Sequence, residues 1–366
     1  MVERLKKNVW YMNRCCGCGA CISTCSKNIL SFPEEDHPIQ EIIERRIGFS
    51  HITIDTCFFC EKTCEESCPR LKDWERGVPM LHTATVASRL PAVSIINALL
   101  IASIRRKLID GVILWDVEKE NFKPIPKIAL TEEEIQNTSG YQHLWYPILE
   151  ALNDAIYKKK LKKIAIVGPP CVAQAVKCIR NSSNDRLKIY RNSLYMMIGF
   201  FCEGMYTHQL VQVITDRFNV NPYELNELTV DLNNRVLRVS LQDGLVKGIS
   251  LSEIRRYMKK GCACCTDFLG ESADISIGRT SLDEERALAI VWTPVGEKCL
   301  NYALMEKTIR LSEILISLDD IQRFIIDKQR RERVQEINSL ILSMLENMSY
   351  GKRREEVMEK MKLIWR

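Results

Sequence analysis

Two tight cysteine quartets near the N-terminus constrain this chain more than any other feature. The first is Cys15, Cys18, Cys21 and Cys25; the second is Cys57, Cys60, Cys64 and Cys68, followed by Pro69. Together they use eight of the 16 cysteines. A [4Fe–4S] cube needs four thiolates converging on one point. A short loop with three closely spaced cysteines wraps three corners, and a more distant cysteine closes the fourth. In a two-cluster arrangement the fourth cysteine of each run crosses to the other cube. The expected sets are therefore Cys15, Cys18, Cys21 and Cys68 on one cluster, and Cys57, Cys60, Cys64 and Cys25 on the other. This pattern predicts one-electron chemistry.

Two details depart from the simplest spacing. Ser26 stands where a proline usually follows the fourth cysteine, and three residues, not two, separate Cys60 from Cys64. The extra residue should loosen one loop and shift that cluster's potential or exposure without removing a ligand. The alternatives are zinc and disulfides. Structural zinc prefers two well-separated CxxC knuckles, whereas here the third and fourth cysteines crowd each first pair. Disulfides need an oxidising compartment. The charged start, Met1 to Trp10, is not followed by the apolar stretch of a secretory signal, so a reduced cytoplasm is the consistent reading.

At 366 residues the chain is long enough for two or three domains with a sizeable core. Its 46% hydrophobic and 27% charged content is that of an ordinary globular protein. No apolar run approaches the roughly 18 residues of a transmembrane segment. A net charge of +5 tolerates an acidic ligand or partner but does not argue for nucleic acid. The basic stretches at Lys158 to Lys160 and Arg330 to Arg333 read as solvated helix faces.

The segment from Ile29 to Ile54, punctuated by Pro33 and Pro38, reads as an insertion between the two cluster loops, with a short strand at His51 to Ile54. Beyond about residue 84 the texture becomes α/β. Apolar residues at helical spacing predict a helix over Val93 to Leu108. Asp110-Gly111 then turns the chain into a strand, Val112 to Trp115. Thr131 and Glu134 form a capping box. Further helices are expected at Pro147 to Tyr157 and Val172 to Arg180, and strands at Lys163 to Val167 and Leu194 to Phe201. Residues 228 to 250 read as short β pieces, and Glu297 to Arg366 as almost entirely helical.

Cys171, Cys202, Cys262 and Cys265 form a third group. Cys171 lies at a strand–loop–helix junction, where backbone N–H groups and the helix dipole favour thiolate. Cys202 follows a buried strand. Cys262 and Cys265 form a CxxC run. Buried core cysteines remain an alternative for Cys171 and Cys202; the CxxC is harder to explain that way.

At these residues the chain resembles a known family, the beta subunits of coenzyme F-420 hydrogenases and dehydrogenases. Cys262-x2-Cys265-Thr266-Asp267-Phe268, followed by Ala273-Asp274-Ile275-Ser276-Ile277-Gly278, is similar to the family's CxxCxDF…ADISVG signature. Val167-Gly168-Pro169-Pro170-Cys171 resembles its VGTPC loop, Phe201-Cys202 its phenylalanine–cysteine element, and Ile109-Asp110-Gly111 the IDG end of a helix. The resemblance runs from Cys15 to about residue 335. It implies that Cys171, Cys202, Cys262 and Cys265 hold a third [4Fe–4S] cluster. It also implies an α+β architecture: a ferredoxin-like two-cluster module over 1–80, an α/β flavin and iron–sulfur domain over 81–300, and C-terminal helices over 301–366.

The resemblance further implies a division of labour. Coenzyme F-420 exchanges hydride, and clusters exchange single electrons, so a bound FAD must stand between them. The candidate flavin positions are Val93, Ser94, Asn97, Gly140, His143, Gly278 and Arg279. Several depart from the family pattern. Val93 and Ser94 replace a Gly-Gly pair, Asn97 a threonine, and Gly140-Tyr141-Gln142-His143 a GSKY stretch. Ser281 and Trp292 stand where a glycine and an arginine are usual. Two readings follow. One is a flavin-bearing oxidoreductase subunit that exchanges electrons with other redox subunits or ferredoxin-like carriers. The other is a flavin-free adapter in a larger redox complex.

Remaining residues carry weaker signals. Cys16, Cys178, Cys264 and Cys299 read as small core residues or free thiols, with Cys16 and Cys264 close enough to ligands to swap. Asp267 reads as a turn or cap residue or as an oxygen ligand, and His82 as a surface or core histidine. Trp10, Trp74 and Trp145 read as packing or as neighbours of the clusters, where a low-dielectric shell tunes potential. The stretch from Leu318 to Arg366 is a candidate docking surface.

Overall fold

The computed structural model describes residues 3–32, 36–40, 43–47, 50–54, 57, 60–74, 79–90, 94–140, 142–278 and 286–331. Its centre is an eight-stranded sheet. The strands are β1 (His82–Ser88), β2 (Gly111–Glu118), β3 (Lys123–Ala129), β4 (Ile164–Gly168), β5 (Leu194–Phe200), β6 (Ile275–Gly278), β7 (Arg286–Val291) and β8 (Ile309–Leu311). Their order is β8-β1-β7-β6-β5-β4-β2-β3. The middle four, β6-β5-β4-β2, are parallel, and the flanking strands pair antiparallel.

The parallel strands are apolar on both faces because both faces are covered. Alternation along each strand sorts the side chains into two cores. Ile113, Ile166, Met197 and Ile290 point into one. Val112, Ala165, Ile198 and Ala289 point into the other. The second core is closed by helices α1 (Ile95–Arg105) and α4 (Pro294–Met305). The first is closed by α2 (Pro170–Asn181) and also contains Cys16, Cys18, Cys171 and Cys202. One face of the sheet is thus a plain apolar layer, and the other carries the cysteine chemistry.

The expected helix near residue 93 forms over Ile95–Arg105, with Ser94 accepting from the Asn97 N–H at 3.2 Å as its N-cap. Asp110 then accepts from the N–H groups of Lys162 and Lys163 at 3.1 and 3.0 Å, clasping the starts of β2 and β4. The Thr131–Glu134 capping box is present. Asp274, 3% exposed, is a structural tie. It accepts from Met197 N at 2.7 Å, Arg180 Nη1 at 2.9 Å and Thr293 Oγ1 at 2.7 Å, joining β5, α2 and the cap of α4.

Residues 225–250 form a three-stranded antiparallel sheet, Leu225–Asp231, Val236–Leu241 and Val246–Ser250. With helix α3 (Gln209–Phe218) it builds a separate core around Leu210, Ile214, Leu228 and Leu237.

Two expectations need correction. The helix expected at 147–157 is present over 148–158 but irregular: a 3₁₀ turn, Ile148–Ala151, runs through residues 152–153 into a π turn, Asp154–Lys158. The Leu149 N–H donates to the Cys18 carbonyl at 3.1 Å instead of to its own segment. The region after Glu297 is not continuously helical. Lys307 takes φ 57°, and β8 then adds to β1 before helix resumes over 319–331.

In the N-terminal part the cysteines themselves form the core. Cys21, Cys25, Cys57, Cys64 and Cys68 pack with Leu5, Val9, Trp10, Ile29 and Leu30. The strand expected at His51 to Ile54 is present, paired with Ile43–Ile47. Trp145 Nε1 donates to Gly17 O at 2.9 Å, and Tyr190 Oη to Ser23 O at 2.9 Å, tying this part to the sheet.

Candidate functional site

Ligands of parallel sheets gather beyond the carboxyl ends of the strands. Three candidate residues leave those ends directly: Cys171 after β4, in the first turn of α2, Cys202 after β5, and Gly278 at the end of β6. The loop after the three-stranded sheet brings Cys262 and Cys265 to the same edge. Cys202 N donates to Phe268 O at 3.0 Å, and Met205 N to Cys262 Sγ at 3.5 Å. Cys202 lies within the electrostatic reach of Cys262 and Cys265, and Cys171 within that of Cys265. The third group is therefore gathered from residues nearly a hundred positions apart.

The N-terminal cysteines of the two runs pack against one another. Cys64 is faced by Cys25, Cys60 and Cys57. Cys21 is faced by Cys15, Cys68, Cys64 and Cys16, so it stands between the two runs. Cys15, Cys18, Cys21 and Cys68 line one small cavity, with Cys16 and Arg70. The extra residue of the second run is taken up by Lys62 at φ 53°, immediately before the short helix Thr63–Glu66. Ser26, in the place of the usual proline, puts its hydroxyl 3.6 Å from Cys60 Sγ, and Gln40 Nε2 donates to Cys57 Sγ at 3.7 Å. Such contacts tune a cluster's potential. No three His, Cys, Asp or Glu side chains among the described residues are grouped so as to hold a metal ion. A cube asks for a different arrangement, because each thiolate binds its own iron at a separate corner.

Burial pushes most of these thiols up, Cys15, Cys64 and Cys202 to about 12. Cys265 goes the other way. Burial opposes its ionisation, but Lys328 and Arg70 beside it hold it below the ordinary thiol range. Lys328 is 1% exposed and donates to Cys202 O and to Asp267 O, the latter at 2.7 Å. Lys259, also buried, lies 3.7 Å over the Trp145 ring near Cys15 and Cys262. Neither lysine, nor Arg70, stood out in the sequence. The only hint was a basic residue directly after Cys68-Pro69.

Cys16 is more than a core filler. It is 5% exposed, and it lies beside both Cys171 and Cys18, between the first and third groups. Gly261 is held against the same loop, where an added Cβ would lie 2.1 Å from Cys15 O. Asp267 closes a turn: its Oδ1 accepts from Gly270 N at 2.7 Å, as in the turn reading of this residue. Cys299 packs behind α1 with Ser103, and Cys178 is buried on α2. His82 is exposed on β1 near Glu297.

A second feature adjoins this cysteine face. A cavity of about 270 Å³ is lined by Ser94, Gly140, His143 and Gly278, four of the seven proposed flavin positions, with Phe201 and Glu203. Ser94 and Ile95 present the N-terminus of α1 to it, a place suited to negative charge. His143 sits at φ 57°; burial lowers its pKa to about 4, and Val230 N lies 3.4 Å from its Nε2. An added Cβ on Gly278 would sit 1.7 Å from the Phe201 ring. Asn97 is buried behind the cavity wall, donating to Ile135 O at 3.1 Å and Thr138 Oγ1 at 3.3 Å. Trp292 donates to Ser276 Oγ at 2.8 Å. Val93, Arg279 and Ser281 lie outside the described residues, as do 332–366 of the expected docking surface.

Residues 94–153 match the model for the coenzyme F-420 hydrogenase/dehydrogenase beta subunit N-terminus, and 161–315 match that for its C-terminus. An uncharacterised protein of Methanocaldococcus jannaschii is 28% identical over 90% of this chain and 97% of its own length. The coenzyme F-420 hydrogenase subunit beta of Methanococcus voltae is 27% identical over 64% of this chain and 84% of its own. In the F-420-reducing [NiFe] hydrogenase complex from Methanosarcina barkeri one chain superposes with a TM-score of 0.64 at 21% identity, covering 69% of this chain and 90% of that one.

Proposed function

This chain belongs to the coenzyme F-420 hydrogenase/dehydrogenase beta-subunit family, and from that premise we propose that it passes electrons between coenzyme F-420 and a partner redox protein. In this reading three cysteine quartets hold [4Fe–4S] clusters: Cys15, Cys18, Cys21 and Cys68; Cys57, Cys60, Cys64 and Cys25; and Cys171, Cys202, Cys262 and Cys265. An FAD occupies the cavity beside Ser94 and supplies the exchange between hydride and single electrons. The setting is the cytoplasm; among the described residues no helix is long and apolar enough to cross a membrane.

The observation that carries this reading is the position of the cavity. Ser94, Gly140, His143 and Gly278, distant in sequence, line one space beside Phe201, and Phe201 is followed directly by Cys202. A ring bound there would lie next to the third quartet. The N-terminus of α1 would receive anionic groups. His143, neutral at ordinary pH, would offer a hydrogen-bonding nitrogen without adding charge. Phe201 and Leu232 would keep water out.

One observation favours the flavin-free adapter. Ligand cavities usually span about 300–1,000 Å³, and this one, at about 270 Å³, is small. Anaerobic purification with iron and flavin counted on one sample decides between them. About 12 iron atoms with one flavin per chain are expected. Full iron with no flavin, even after adding FAD, would leave the adapter.

A further inference from the structure

Two cations reach the third cysteine quartet from outside the stretches that match the family models, residues 94–153 and 161–315. Lys328 comes from the helix over 319–331. Its side chain is fully enclosed, and its hydrogen bonds go to two carbonyls, those of Cys202 and Asp267. Arg70 comes from the turn Pro69–Leu71, two residues after Cys68. It lines the small cavity with Cys15, Cys18, Cys21 and Cys68. On its other side it faces Cys265, Cys264 and Cys171. Its Nε is buried with no hydrogen-bond partner among the described residues.

A buried cation is costly unless an anion compensates it. The groups facing Arg70 are cysteines, and those facing Lys328 are cysteines with Asp267. A protonated quartet gives little compensation, whereas a quartet carrying a negative cluster gives a great deal. When a cube takes one electron its negative charge grows by one, the donor loses one electron, and no bond or proton moves. A fixed positive charge nearby, in a medium poorer than water, favours the reduced form.

We propose that Lys328 sets the reduction potential of the third cluster alone, and that Arg70, shared between two quartets, raises the potentials of the first and third clusters together. Arg70 thereby lifts the two potentials as a pair and leaves the electron step between them in place. Both are positioning residues, acting through charge. The proposal rests on the reading of three cysteine quartets as cluster sites.

The test is a redox titration of the anaerobically purified full chain, followed by electron paramagnetic resonance. Lys328→Met should move one cluster signal to lower potential and leave the others in place. Arg70→Met should lower two signals, each reduction equilibrium shifting about tenfold or more against the reduced form. Arg70→Lys should restore most of that shift. If a Met variant loses iron, Arg70→Gln and Lys328→Gln, which keep a donor and remove the charge, are titrated instead. Wild-type potentials in the charge-removed variants at full iron, or one moved signal in the Arg70 variants, would overturn the proposal. Fewer than three distinct clusters in the wild-type chain would instead refute the three-quartet reading itself.

Discussion

The cysteine face and the cavity beside Ser94 sit at the same sheet edge but are built by opposite means. The cysteine face is crowded and strongly charged. Thiols from four separate segments pack around Arg70, Lys259 and Lys328, and a backbone contact as close as that of Gly261 with Cys15 leaves no slack. The cavity is open and lined by a helix N-terminus, a neutral histidine and an aromatic ring. The first arrangement suits a small rigid inorganic group bound by covalent bonds. The second suits a larger ligand held by many weak contacts. Substitutions at the two places should therefore separate iron from flavin.

The largest separation is expected at Cys265. Cys265→Ser should lower iron by about four atoms per chain, with the N-terminal cluster signals intact. Flavin content should fall far less. Flavin lost in step with the iron would mean that the cysteine face and the cavity assemble as one unit, and the contrast between the two regions would fail.

The reverse separation is expected at Gly278. A methyl group there collides with the Phe201 ring and must drive it toward the cavity. Gly278→Ala should weaken flavin retention about tenfold or more, about 1.4 kcal/mol, with iron unchanged. Retained flavin and reduced iron would place Phe201 in the service of Cys202 instead.

A smaller effect separates the regions by pH. His143 titrates near 4 in the folded chain, below the ordinary 6.5, because burial disfavours its charged form. The unfolded chain therefore takes up the proton first as pH falls. The stability contributed by the neutral ring is complete above about 6.5 and drains away between 6.5 and 4. It amounts to about 1–3 kcal/mol because the ring is partly exposed. His143→Gln should flatten the stability profile in that window. An unchanged profile would assign the acid sensitivity to other groups.

The two regions also differ in how far the sequence exposes them. The N-terminal quartets are legible because their cysteines follow one another closely along the chain, the spacing of loops that can wrap a cluster. The spacing from Cys15 to Cys25 already encodes the geometry. The strands that end at Gly168 and Phe200 are legible because buried parallel strands must be continuous apolar runs. Arg70 and Lys328 are not legible. Nothing local marks a lysine in a charged helix as the one that turns inward. The irregular turns at 148–158 are hidden for a similar reason: one of their backbone bonds, from the Leu149 N–H, goes to Cys18, more than a hundred residues away. Asn97 shows the limit of carrying a role across by position alone. It falls where a flavin contact is expected, yet its amide is committed to Ile135 and Thr138.

Asn97 therefore supplies the smallest and sharpest test. Its two hydrogen bonds hold the segment that leads into Ser139 and Gly140, which line the cavity. Asn97→Ala leaves the Ile135 carbonyl and the Thr138 hydroxyl without that partner and should cost about 1 kcal/mol of stability, read as a lowered midpoint of thermal unfolding. Flavin affinity should fall less than in Gly278→Ala, because the wall is loosened without being blocked. Asn97→Thr, which restores the residue type usual at this position in the family, distinguishes support from contact. A threonine is too short to span both partners, so a supporting role predicts stability close to that of the alanine variant. A gain in flavin affinity above wild type would instead assign position 97 to the cofactor. The cavity would then extend past Ser94 along the start of α1.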